Sequence, residues 1–70
     1  MLWLVTKGAS YSITSCNLVE KDGKFQMWVE RSNGRGLKVL ESDDEAFVKD
    51  HKDAIDTAIR LGKQTFEMEV

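Results

Sequence analysis

The sequence predicts an α+β domain: an antiparallel meander sheet, with elements in ββββαβ order, carrying one amphipathic helix on one face. Three observations predict it. Two glycine-bearing turn signals, Asp22-Gly23 and Ser32-Asn33-Gly34, separate runs of strand-prone residues. A capping sequence, Ser42-Asp43-Asp44-Glu45, is followed by apolar residues at helical spacing. The stretch from Thr65 to Val70 then alternates between apolar and polar residues.

The elements follow in order. Met1 to Thr6 is apolar and β-prone, and Lys7-Gly8-Ala9-Ser10 reads as a turn before an extended run from Tyr11 to Glu20. Asp22-Gly23 fits the two-residue turn with positive φ at both positions. That turn sets Leu18 against Met27 and Cys16 against Val29 on one face, with Val19 against Gln26 and Asn17 against Trp28 on the other. Ser32-Asn33-Gly34 fits a three-residue loop ending in a glycine bulge, which puts Val29 against Leu37 and Met27 against Val39. Both hairpins then gather Cys16, Leu18, Met27, Val29, Leu37 and Val39 on one face, the core side.

Ser42 is expected to cap a helix, with Glu45 reaching back to it. At 100° per residue Phe47, Val48, His51, Ala54, Ile55 and Ala58 form one stripe, opposite Lys49, Asp53, Asp56 and Arg60. Gly62 supplies the left-handed stop. The final strand turns Phe66, Met68 and Val70 inward and Thr65, Glu67 and Glu69 outward, and a crossover allows it to run parallel to a neighbour.

The chain of 70 residues is expected to form a single domain over 1–70, without linker or repeat. A chain this short buries only roughly 60% of its unfolded surface. One thiol, Cys16, and one imidazole, His51, are too few for a disulfide or a zinc staple, so association with another chain is the remaining common source of stability. The apolar run Met1 to Val5 is too short for a membrane span or a signal-peptide core, which leads us to expect a cytoplasmic protein with no membrane contact. A chain of this size starting at Met1 is expected to be the whole product of a small gene, of the kind common in bacteria and their phages. Net charge is −2, unevenly placed: six basic against three acidic residues give +3 over 1–39, and four against nine give −5 over 40–70. Solubility accounts for this division.

One helix covers one face of the sheet, and the register leaves Val19, Trp28 and Leu40 on the other, beside Asn17, Gln26, Glu30 and Lys38. Such a patch, with Lys38, Arg31 and Arg35 as a basic rim, has the composition of a protein interface. Competing chemistry is less well supported. His51 reads as a packed residue, since no second ligand accompanies it, and Cys16 as a small core residue. Gly34-Arg35-Gly36 begins like a phosphate loop, but a strand follows where a helix is required. Capping explains the acids from Glu41 to Glu45. Phe25 and Trp28 differ in parity and cannot share a nucleic-acid-stacking face. The sequence therefore leads to a non-enzymatic protein-binding module, a homodimer, adaptor or inhibitor, with no catalytic residue, metal or cofactor expected. A nucleic-acid-binding module using the basic hairpin tips is the alternative.

Overall fold

A computed structural model describes residues 1–68. Its elements are β1 (Leu2–Thr6), β2 (Ala9–Lys21), β3 (Lys24–Arg31), β4 (Gly36–Ser42), α1 (Glu45–Arg60) and β5 (Thr65–Glu67). Turn chemistry sets the meander. Asp22 and Gly23 both hold positive φ, 54° and 77°, as the two-residue turn requires. Cys16 consequently faces Val29, and Leu18 faces Met27, while Asn17 faces Trp28 and Val19 faces Gln26. At the next hairpin the Gly34 amide donates to the Arg31 carbonyl and the Arg31 amide to that of Arg35, closing the three-residue loop with Gly34 at φ 85°. The Asn33 side-chain oxygen accepts from the Arg35 amide and stiffens the tip. The first turn is tighter than the sequence suggests: Thr6 pairs with Ala9, so β2 begins two residues before Tyr11.

Two bulges redirect the strands. Between β2 and β3 the register shifts between Ile13 and Ser15, leaving Thr14 as the extra residue and bringing Ile13 and Cys16 to the same face although they are three apart. Between β3 and β4, Trp28 pairs with Lys38 but Met27 pairs with Leu40, so Val39 is extra. This corrects the expected pairing of Met27 with Val39. Beyond the bulge the parity of β4 is reversed, and Leu40 turns into the core at 8% exposure while Val39 packs half-buried at its margin.

The strands lie in the order β4-β3-β2-β1-β5. Four are antiparallel neighbours, whereas β5 runs parallel to β1, with Leu4 opposite Phe66. The connection through α1 thus carries the chain from one edge of the sheet to the other. The helix packs chiefly on β2 and β3, less on β4, and meets β5 only along its flank. Its N-cap is Asp44, whose carboxylate accepts from the Phe47 amide, and not Ser42, which still belongs to β4 and accepts instead from the Asp44 amide. At the other end Gly62 donates to the Ile59 carbonyl and Lys63 to that of Ala58, the paired bonds of a Schellman stop.

The core is Leu2, Leu4, Ile13, Cys16, Met27, Val29, Leu40, Val48, Ile55, Ala58 and Met68. Each large side chain buried there stabilises the fold by about 2 kcal/mol of apolar transfer. Of the expected helical stripe, Val48, Ile55 and Ala58 are buried, His51 is half-buried, and Phe47 and Ala54 are exposed. The stripe is wider than the surface it packs on. Phe66 is half-buried and Met68 buried, as expected; Glu69 and Val70, also expected in this strand, lie outside the described residues.

Candidate functional site

The face of the sheet opposite α1 is built by residues whose parity is the reverse of the core. Trp3 from β1, Asn17 and Val19 from β2, Gln26, Trp28 and Glu30 from β3, and Lys38 and Glu41 from β4 fall there. Trp28 keeps 36% of its surface exposed and Val19 42%. They are diagonal neighbours across β2 and β3, because Trp28 faces Asn17 while Val19 faces Gln26.

A chain of polar contacts fixes the tryptophan. Its indole Nε1 donates to Gln26 Oε1 at 2.9 Å, and Gln26 Nε2 donates to Glu41 Oε2 at 2.6 Å. Lys38 Nζ lies 3.6 Å from that same carboxylate oxygen. The bond from Gln26, followed by the lysine charge, lowers the Glu41 pKa from its ordinary value. At the other end of the ring, Trp28 Cε3 lies over the start of β4, where a Cβ on Gly36 would meet it at 3.7 Å, an ordinary van der Waals contact. The ring is presented in one orientation, with little rotamer freedom left to lose on contact with a partner.

The structure keeps Trp28, Val19 and Lys38 together on this face and separates the others. Leu40 is in the core, since the bulge at Val39 moves it to the helix side. Arg31 opposes Ile13, which also puts it on the helix side, half-buried, with its Nε enclosed and without a hydrogen-bond partner among the described residues. Arg35 is exposed in the loop beside Gly36. The basic rim expected around Trp28 therefore reduces to Lys38, with Arg35 at the hairpin tip.

Trp3 is on the same face but does not cover Trp28. It is 46% exposed, opposite Ser12 and Thr65. Its backbone stands roughly 15–20 Å from that of Trp28, given about 3.3 Å per residue along a strand and about 4.8 Å between strands. The ground between them is polar: Ser12 and Ser32 hydroxyls share a 2.6 Å hydrogen bond, and Thr14 donates to the Glu30 carbonyl.

On the opposite side, His51 Nδ1 sits 2.8 Å from the Phe47 carbonyl, which can only accept, so the proton is on that nitrogen. The His51 and Phe47 rings stack at 4.7 Å between centroids, tilted by 58°. Among the described residues no three His, Cys, Asp or Glu side chains converge as metal ligands, and no helix is long and apolar enough to cross a membrane.

Cys16 is 5% exposed under the helix, near the Lys52–Asp56 ion pair. Burial, with the Asp56 carboxylate adding and the Lys52 ammonium opposing, pushes its thiol from 9.0 up to about 11. The unfolded chain therefore releases this proton first as pH rises. The stabilisation is complete below pH 9 and is lost as pH climbs through about 11. At about 1.4 kcal/mol per unit the loss amounts to about 2–3 kcal/mol. Urea unfolding of wild type and Cys16→Ala between pH 8 and 11.5 is expected to show the wild type losing about that much more; parallel pH curves would refute the assignment.

Comparison with protein-family models, curated proteins and solved structures finds no match to this chain.

Proposed function

We propose that the protein is a small, non-enzymatic, cytoplasmic protein-binding module whose open sheet face pairs with a second copy of itself. The observation that carries this reading is the half-exposed indole of Trp28, pinned by Gln26 and set beside exposed Val19 on the face that α1 leaves uncovered. Aromatic side chains held rigid on a flat surface are the usual energetic centre of a protein interface. Two further features favour a second copy. A two-fold contact sets a patch against itself, which demands both signs of charge at its rim, and Glu30, Lys38 and Glu41 supply them. A domain this small also has only one cysteine, buried, so burial against another chain is a ready source of further stability.

The test is solution mass by light scattering over a range of concentration and salt. Wild type is expected at twice the 8.0 kDa of the chain. Val19→Glu and Trp28→Ala are expected to weaken the dimer by at least tenfold and about thirtyfold, about 1.4 and 2 kcal/mol, with the circular dichroism unchanged. High salt leaves an apolar contact intact, whereas affinity for added single-stranded DNA or RNA, the signature of the nucleic-acid alternative, falls steeply. A monomer at every concentration, or a dimer indifferent to both substitutions, overturns the reading.

A further inference from the structure

A second surface lies on the other side of the molecule, where α1 meets β5. Because the helix sits chiefly over β2 and β3, the crease beside β5 is incompletely filled. Two depressions run along it, of about 400 and 370 Å³, sharing Ala54 and Phe66 as their floor; His51 lines the first and Leu61 the second. Leu61 is 62% exposed, the highest of any large apolar residue within an element or its cap.

The strand bordering this crease is open on its outer side. In the parallel ladder with β1, the Trp3 amide donates to the Gln64 carbonyl and the Met68 amide to that of Val5. Backbone groups alternate in direction along a strand, so the even-numbered residues of β5 point at β1. The amides and carbonyls of Thr65 and Glu67 consequently point away from the sheet, and no described strand receives them. The other edge differs, since β4 carries the bulge at Val39 that interrupts regular pairing.

Charge indicates what fits. Asp50 and Asp53 stand exposed on the helix rim above the two depressions, and Glu67 projects from β5 on the opposite face. Two bases stand near these three carboxylates, Lys63 at the far end of the second depression and Lys7 beside Glu67.

We infer that β5 accepts an added strand from another protein, an extended segment with small apolar side chains entering the crease at Phe66 and lysine or arginine flanking them. Thr65 and Glu67 supply the backbone hydrogen bonds, Phe66, Ala54 and Leu61 the apolar contact, and Asp50, Asp53 and Glu67 the preference for a basic segment. Only Glu67 shares a face of the sheet with Trp28, and β5 lies three strands away from β3, so the two surfaces operate independently.

The experiment is a titration of the full chain, followed by amide NMR and hydrogen exchange. The probe is a blocked seven-residue peptide with valine at its third and fifth positions, threonine at the fourth and lysine elsewhere. The expected result is at least tenfold slower exchange of the Thr65 and Glu67 amides. Binding is expected to weaken tenfold or more when glutamates replace the lysines, or in the doubly reversed chain Asp50→Lys with Asp53→Lys. A peptide N-methylated at alternate amides is expected to leave both amides unprotected. Equal response to the basic and acidic peptides overturns the proposal, as does unchanged exchange at Thr65 and Glu67. Protection of those amides by increasing concentration of the chain alone also overturns it, by assigning the edge to a second copy. Val19→Glu is expected to bind the peptide normally, so failure of the dimer reading leaves this test intact.

Discussion

Leu40→Asp is expected to unfold the domain at neutral pH and to do so less at pH 4. In a regular β4 this position would face solvent beside Trp28 and the substitution would cost a few tenths of a kcal/mol. The bulge at Val39 instead puts Leu40 opposite Met27 in the core, at 8% exposure. The aspartate forfeits about 2 kcal/mol of leucine burial and adds the cost of an unpaired carboxylate in apolar surroundings, together about 4 kcal/mol or more. A chain of this size has about 4–10 kcal/mol in total. Protonation removes the charge, so the added cost shrinks as pH falls, whereas Leu40→Asn shows no such change. Asn17→Asp, on the open face, is expected to stay within about 0.5 kcal/mol of wild type. Thermal melts of the three variants at pH 4 and 7 decide the matter; a mild, pH-independent effect at Leu40 would mean that the bulge is absent.

Ile55→Ala is expected to cost about 3–4 kcal/mol and Phe47→Ala less than about 1 kcal/mol, although the larger ring is removed in the second. Both belong to the same apolar stripe in sequence. Ile55 is fully enclosed between α1 and the sheet, so its removal leaves a cavity among neighbours that cannot close in. Phe47 is 41% exposed and touches the His51 ring on the flank of the helix. Urea midpoints for the pair measure the difference directly, and equal losses would show that the helix is rotated from the position described.

These two residues mark where sequence periodicity stops being informative. A 100° repeat identifies the apolar side of a helix but not how much of it the sheet can cover, and α1 overhangs toward β5. Hairpin registers were legible because Asp22, Gly23 and Gly34 take positive φ that few residues tolerate, which leaves one pairing for each turn. The bulges were not, since an extra residue changes neither composition nor turn. Their traces were nonetheless present: Ile13 and Cys16 are spaced by three within one strand, and Val39-Leu40 places apolar residues at both parities before Glu41. The cap was displaced because Ser42 and Asp44 are equally good acceptors, and only the length of β4 decides between them. On the open face, Trp28, Val19 and Lys38 followed from the first hairpin or the near end of the second. Leu40 lay past the bulge, and Arg31 was assigned to the rim without regard to parity. Trp3 could not be oriented, because the run from Met1 to Val5 is uninterrupted and carries no alternation.

The parallel pairing of β1 with β5 determines how the domain bears tension. Traction on Met1 pulls β1 from its leading end, while traction on Met68 pulls β5 from its trailing end, and in a parallel pair these lie at opposite ends of the ladder. The two strands are then dragged past one another along their length, so the hydrogen bonds from Trp3 to Val5 are loaded together and not opened in sequence. Each hairpin of the meander, pulled at its open end, would unzip one pair at a time. The β1–β5 pairing thereby becomes the mechanical clasp of the sheet.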